Sequence, residues 1–339
     1  MVIATMRFLM ISILFLMFVS CTPKRETSFY YWKTNFCLDS TSNKYMEQLG
    51  VKKLYVRFFD VDMNGNKPLP LAHLVVKQKD DNHEIIPVVF ITNRTMSELN
   101  STEINKLAKS ILQEIYFMNP ALTDKKINQI QFDCDWTAST RENYFYFLNQ
   151  CKKLKPKIHF SATIRMHQIK DVQTTGVPPV AEGVLMYYAT SSPLEFNIQN
   201  SILENSVADN YLKNLHQYPL KLNLALPIYS WAILENNYGE KRLLNGIREE
   251  NMTDTTLFLP LGNNFYLVKK DAYWMNIYLY ENYKIKVEEI TPEQLLTASR
   301  HFSKKYKNGE LNTLFFQLDS SNLMHYSIEQ LKSISNPDL

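Results

Sequence analysis

The sequence predicts a (β/α)8 TIM barrel with an insertion between its seventh and eighth strands, preceded by a signal peptide. Three observations carry this. Short runs rich in Val, Ile, Phe and Tyr alternate with longer segments of helical apolar spacing. Eight such runs can be placed, and a regular β, α alternation requires parallel strands joined by crossovers, which at eight units favours a closed barrel. A stretch of additional strand-like runs then separates the last two.

The expected barrel strands occupy 29–32, 53–60, 86–92, 129–135, 158–165, 183–188, 222–229 and 313–319. Helices fit at 41–49, 97–117, 141–154, 206–216 and 292–306, with 327–334 closing the chain. In the second helix Ile104, Leu107, Ile111, Leu112 and Ile115 form an apolar stripe. Between the seventh and eighth strands the runs 256–259, 265–268 and 274–279 read as an inserted subdomain, placed at 235–308.

Ahead of the barrel, Arg7 precedes an apolar run at 8–19, and the small Ser20 stands before Cys21. That run falls short of the roughly 20 residues a membrane-spanning helix needs, and a polar stretch follows at once. The reading is a lipoprotein signal peptide at 1–20, lipid on Cys21, a tether at 21–28 and a barrel at 29–339. The expected location is the cell envelope, with a membrane as partner through the lipid at Cys21.

Composition narrows the function classes. A hydrophobic share of 45% and an aromatic share of 13% supply a large core. A net charge of +3 gives nucleic-acid binding no electrostatic support. Cys37, Cys134 and Cys151 are an odd set without metal-type spacing, so they read as small apolar side chains, although one pair could bridge in an oxidising compartment. A monomer with no cofactor and no metal is expected.

In such a barrel the functional groups project from the C-terminal ends of the strands. Those ends carry Trp32; Arg57, Asp60 and Asp62; Asp133, Asp135 and Trp136; Arg165; Tyr187 and Tyr188; Tyr229 and Trp231; and Gln317 and Asp319. Asp133 and Asp135 are candidate catalytic residues, because positions i and i+2 of a strand share a face and two close carboxyls push one pKa upward. Such a pair can hold a proton for glycosidic cleavage. The other residues are candidate substrate contacts: aromatic rings for sugar faces, and arginines that either order the acids or bind an anionic group.

The order of these motifs resembles the family 18 glycoside hydrolases, the chitinase-like barrels. Aligning that family's Asp-x-x-Asp-x-Asp-x-Glu on the fourth strand places its acids at Ile130, Asp133, Asp135 and Thr137. Met186-Tyr187-Tyr188 is similar to its sixth-strand Met-x-Tyr, and 224–230 to its Leu-Gly-Leu/Ile-Pro-x-Tyr-Gly stretch. The resemblance implies a carbohydrate ligand and a general-acid position filled by Thr137, which cannot donate a proton in that way. It places the chain nearest to bacterial lipoproteins that share the barrel without the full signature. Two readings follow: a glycan-cleaving enzyme using Asp133 or Asp135, or a glycan-binding lipoprotein that kept the groove and lost the acid.

Overall fold

The computed structural model describes residues 25–306 and 311–337; the expected signal peptide and Cys21 lie outside them. Eight parallel strands are present: β1 (Thr27–Tyr31), β2 (Lys53–Asn64), β3 (Glu84–Ile91), β4 (Gln129–Asp133), β5 (His159–Arg165), β6 (Glu182–Met186), β7 (Lys221–Pro227) and β8 (Thr313–Phe316). Each pairs with the next, and β1 pairs with both β2 and β8, which closes the barrel. Thr27 and Ser28, expected in the tether, are buried partners of Thr313 and Leu314 in that closure.

Period-2 alternation sorts the strand residues between two cores. Tyr30, Tyr55, Ile86, Val88, Val184, Ala225 and Leu314 fill the barrel interior. Their neighbours Phe29, Leu54, Val56, Ile85, Leu185 and Phe315 pack outward against the helices. Buried polar groups inside the barrel satisfy one another: the Tyr30 hydroxyl donates to Gln131 Oε1 at 2.7 Å, and Gln129 Nε2 donates to Glu182 Oε1 at 3.0 Å.

The alternation breaks once, in β2. Arg57 pairs with Val88 but Phe59 pairs with Val89, so Phe58 is an extra residue in the ladder. This β-bulge buries both Phe58 and Phe59 in the outer core and returns Asp60 to the inner face beside Phe90. Arg57 and Asp60, three apart, would otherwise face opposite ways.

Where the helices differ from expectation, local chemistry explains it. The helix expected at 97–117 is two, Asn93–Glu98 and Ser101–Leu122. Leu99, in extended conformation, ends the first, and Asn100 starts the second: its side chain accepts from the Thr102 and Glu103 amides while Glu103 reaches back to the Asn100 amide, a reciprocal cap. Pro292 sits at the first turn of Pro292–Lys305, where its missing N–H costs nothing.

The antiparallel sheet between β7 and β8 runs in the order Lys241–Asn245, Trp231–Glu235, Lys284–Glu288, Phe265–Val268, Phe258–Gly262. It thus begins at Trp231, ahead of position 235, and it ends at Glu288. Its core is its own, built on Leu244, Phe258, Val268, Leu279, Ile285 and Val287, while the helix Pro292–Lys305 buries Leu295, Ala298 and Phe302 in the outer core of the barrel. The run at 274–279 is not one strand but the turn and second strand of a hairpin, Ala272–Trp274 with Ile277–Leu279, turning at Met275 and Asn276. Both turn residues have positive φ, 46° and 63°, as a type I′ hairpin turn requires.

Candidate functional site at the barrel mouth

A cavity of about 380 Å³ opens at the C-terminal ends of the strands, the end where catalytic and binding groups of such barrels collect. Its walls include Trp32, Arg57, Asp60, Asp133, Asp135, Arg165, Tyr188, Tyr229 and Trp231, all of them sequence candidates. Residues from β1, β2, β4, β5, β6 and β7 thus converge from across the sequence.

The acids differ sharply in environment. Asp133, the last residue of β4, is 6% exposed and accepts a hydrogen bond from the Thr163 hydroxyl at 2.5 Å. Burial, followed by repulsion from the Asp135 carboxylate, pushes its pKa up from 3.8 to about 6, against the opposing pull of Thr163 and Arg165. Asp135, two residues on and beyond the strand, is partly exposed and lies 3.3 Å from the Arg165 guanidinium. Asp60 is held by both Nε and Nη2 of Arg57, in a two-pronged pair with Nε to Oδ1 at 2.6 Å. The Arg57 guanidinium in turn lies 5.7 Å from the centre of the Trp32 ring.

Aromatic rings make the opposite wall. Phe316 packs against Trp32, Tyr188 and Tyr229 at centroid distances of 5.6, 5.6 and 5.8 Å, and Tyr229 meets Trp231 at 5.3 Å. Tyr188 lines this cavity, and its hydroxyl is buried with no hydrogen-bond partner among the described residues. A buried hydroxyl left unpaired costs free energy.

A second hollow of about 580 Å³ shares Trp32, Tyr229, Trp231 and Phe316 with the first and continues past them. Gln317 and Asp319 line this outer space, together with Asn245, Ser321 and Asn322. Asp319 pairs with Lys33 at 2.8 Å and caps the turn that follows by accepting from the Ser321 amide. Ser230, 1% exposed, also lines it, its buried hydroxyl without a hydrogen-bond partner among the described residues.

Three candidates are not at the mouth. Trp136 is fully buried between the barrel and its helices: its indole N–H donates to the Thr175 carbonyl at 2.8 Å and its ring stacks on Tyr144. The chain turns out of β4 after Asp133, so the i, i+2 pair opens on the cavity while the next residue is folded back outward. Tyr187, one residue from Tyr188, takes the other face of its strand end and is buried in the outer core. Asp62 lies beyond the mouth, tied to Arg94 and to the Thr92 hydroxyl. Thr137, at the aligned acid position, is exposed and bonded to Ser139 and Thr140.

Sequence reasoning missed Tyr30, Phe90, Thr163, Met186 and Phe316, which also line the cavity. They lie within strands, not just past them, and only their inward parity could have marked them. Cys134 and Cys151 are buried, Cys37 is exposed, and all three are free. Among the described residues no cluster of metal-ligating side chains occurs, and no helix is long and apolar enough to cross a membrane.

No family model matches the sequence, and no curated protein matches it either. Solved structures do. A Group IV chitinase from Ostrinia furnacalis superposes with a TM-score of 0.54 at 9% identity, covering 92% of this chain and 99% of that one. The GH18 chitinase ChiB from the chitin utilization locus of Flavobacterium johnsoniae gives 0.51 at 13% identity, over 93% and 94% of the two chains. The fold is that of the chitinase-like barrels. A class V chitinase from Nicotiana tobaccum in complex with NAG4 matches this chitinase-like barrel in the same way, with a TM-score of 0.52 at 12% identity and coverage of 93% and 99%. At these identities the likeness concerns the fold; the chemistry of this chitinase-like barrel rests on its own mouth.

Proposed function

We propose that this chitinase-like barrel is a glycan-binding lipoprotein, holding one sugar ring in the inner cavity and the next in the outer hollow. The observation that carries this is the mouth itself: a wall of aromatic rings, with Asp60 and Asp135 already engaged. Asp60 is committed to Arg57 and Asp135 to Arg165. Thr137, aligned with the family's general acid, is turned into loop hydrogen bonds outside the cavity. The complex of one structural neighbour with NAG4 makes an oligomer of N-acetylglucosamine the natural probe.

Calorimetry and a reducing-end assay on the same sample test this. Chitotetraose is expected to bind without new reducing ends appearing, and Trp32→Ala to weaken binding about tenfold or more, as loss of a central aromatic anchor does. A second reading, hydrolysis, is favoured by the raised pKa of Asp133, which keeps a carboxylic proton beside the cavity at mildly acid pH. New reducing ends that disappear in Asp133→Asn would replace the binding reading with that one.

We further propose that lipid on Cys21 anchors the chain in the cell envelope. Arg25 is fixed near the N-terminal end of β1, its amide donating to Asn336 Oδ1 at 3.1 Å. The pocket lies at the opposite, C-terminal end of the strands. A lipid four residues before Arg25 would therefore hold the base of the barrel near the membrane and leave the mouth facing away. Metabolic labelling with a radioactive fatty acid is expected to mark the wild-type chain and to fail in Cys21→Ser; equal labelling of both would remove the proposal.

A further inference from the structure

The inserted sheet contributes a buried ion pair that the mouth does not itself contain. In the strand Lys284–Glu288, Ile285 and Val287 face the core of the insertion, so Lys286 and Glu288 share the other face. Both are essentially inaccessible, 0% exposed, and Lys286 Nζ lies 2.7 Å from Glu288 Oε1. Two charges in such a place are costly unless their remaining hydrogen-bonding capacity is filled. Most of it is filled, from two directions, although Glu288 Oε1 has no hydrogen-bond partner among the described residues beyond its ion pair with Lys286.

On one side, Glu288 Oε2 accepts the indole N–H of Trp231 at 2.8 Å; the two residues are direct partners in adjacent strands. On the other, the same oxygen accepts the Ser201 amide at 3.0 Å and the Ser201 hydroxyl, while Lys286 donates to the Ile198 carbonyl. Next to it, Asn200 Nδ2 donates to the Glu289 carbonyl at 2.9 Å. Ser201 and Ile198 belong to the long loop that leaves the barrel after β6, closed at its base by the Ala189 amide on the Ile202 carbonyl at 2.7 Å. One carboxylate therefore joins a wall of the pocket, the loop after Tyr188 and the insertion.

We propose that Glu288 is a positioning residue for the glycan site: it fixes the plane of the Trp231 indole at the boundary of the inner and outer cavities. Trp231 is only partly buried and lines both spaces. Packed against Tyr229 on one side and tied at its far nitrogen, the indole presents one face to the ligand with less to order on binding. The strand pairing sets the reach: Glu288 stands directly opposite Trp231 in the adjacent strand, where facing side chains meet.

This inference rests on the glycan reading for its affinity test, and a second readout is independent of it. Two double variants remove the buried charges together and so avoid stranding either one. Lys286→Met/Glu288→Gln keeps a side-chain carbonyl to accept from Trp231; Lys286→Met/Glu288→Leu keeps volume and removes the acceptor. The chain has four tryptophans, so the indole N–H region of its proton spectrum is simple, and Trp231→Phe assigns the relevant signal. The Gln variant is expected to retain a slowly exchanging Trp231 indole proton and near-wild-type chitotetraose affinity. The Leu variant should lose that protection and bind about tenfold more weakly, as loss of a charge-accepted hydrogen bond predicts. In a Trp231→Phe background the two variants should bind equally. If both protect the indole equally and bind equally in the parent background, Glu288 does not position Trp231. A wild-type protein that shows the protected indole and its loss in the Leu variant, yet binds no glycan, sinks the glycan reading and leaves the positioning role standing.

Discussion

Trp136→Ala is expected to destabilise the fold by about 3–5 kcal/mol, the usual cost of emptying a large aromatic site in a close-packed core, with affinity for chitotetraose unchanged in the protein that remains folded. Trp136 is fully buried, stacked on Tyr144 at 5.2 Å and bonded through its nitrogen to the Thr175 carbonyl. Truncation removes packing on all sides and leaves that carbonyl unpaired, and no atom of Trp136 reaches the cavity. Trp32→Ala should do the reverse, weakening binding with a smaller loss of stability, because Trp32 is partly exposed and lines both cavities. Denaturant midpoints and calorimetry on the two variants separate these outcomes. If Trp136→Ala weakened binding while leaving stability intact, the assignment of these two indoles would be reversed.

The second large effect is one of pH. In the folded chain Asp133 titrates at about 6; at its ordinary value of 3.8 in the unfolded chain it ionises earlier. The folded state therefore holds the proton where the unfolded state has released it, and stability falls as pH rises between those values. Below about pH 3 both states are protonated and the group contributes nothing; above about pH 6 the penalty is complete. The difference of pKa corresponds to a penalty of about 3 kcal/mol. Asp133→Asn, which has no proton to lose and still offers an oxygen to the Thr163 hydroxyl, is expected to be more stable than the wild type by up to that amount at pH 8. At pH 4 most of the gap should close. Urea unfolding at the two values measures it, and a gap that is constant with pH would mean that Asp133 titrates normally in its site.

The same carboxyl shows why the binding and hydrolytic readings can be distinguished. A proton held at mildly acid pH is a necessary property of a general acid, but it follows from burial alone, with Asp135 adding to it. The partnership of Arg165 with Asp135 and of Arg57 with Asp60 leaves those two carboxylates of the mouth compensated. An enzyme would have to break one of those pairs to free a second carboxylate, whereas a binding site gains from keeping them, because fixed charges and rings cost little to order on association.

Much of this architecture was legible in the linear pattern. Parity within strands is local, so Asp133 and Asp135 could be assigned to one face before any contact was known, and the capping chemistry of Asn100 and Pro292 is written in neighbouring residues. The β, α alternation fixed the direction of the strands and hence the end at which functional groups would gather. Parity failed where the ladder did: the bulge at Phe58 that brings Asp60 back beside Arg57 has no signature in composition, since two adjacent phenylalanines serve equally well in a regular strand. Tyr187 and Tyr188 are chemically alike, and only their opposite parity sends one to the core and the other to the cavity. Trp136 beside acidic residues looked like a site residue, yet the turn after Asp133 carries it into the outer core. The sequence by itself determined which faces were apolar, which way the strands ran and which acids stood together, because those depend on spacing of a few residues. The bulge, the burial that raises Asp133, and the grip of Glu288 on a tryptophan 57 residues away were decided only when distant segments met, since desolvation and hydrogen bonding depend on what surrounds a group in space.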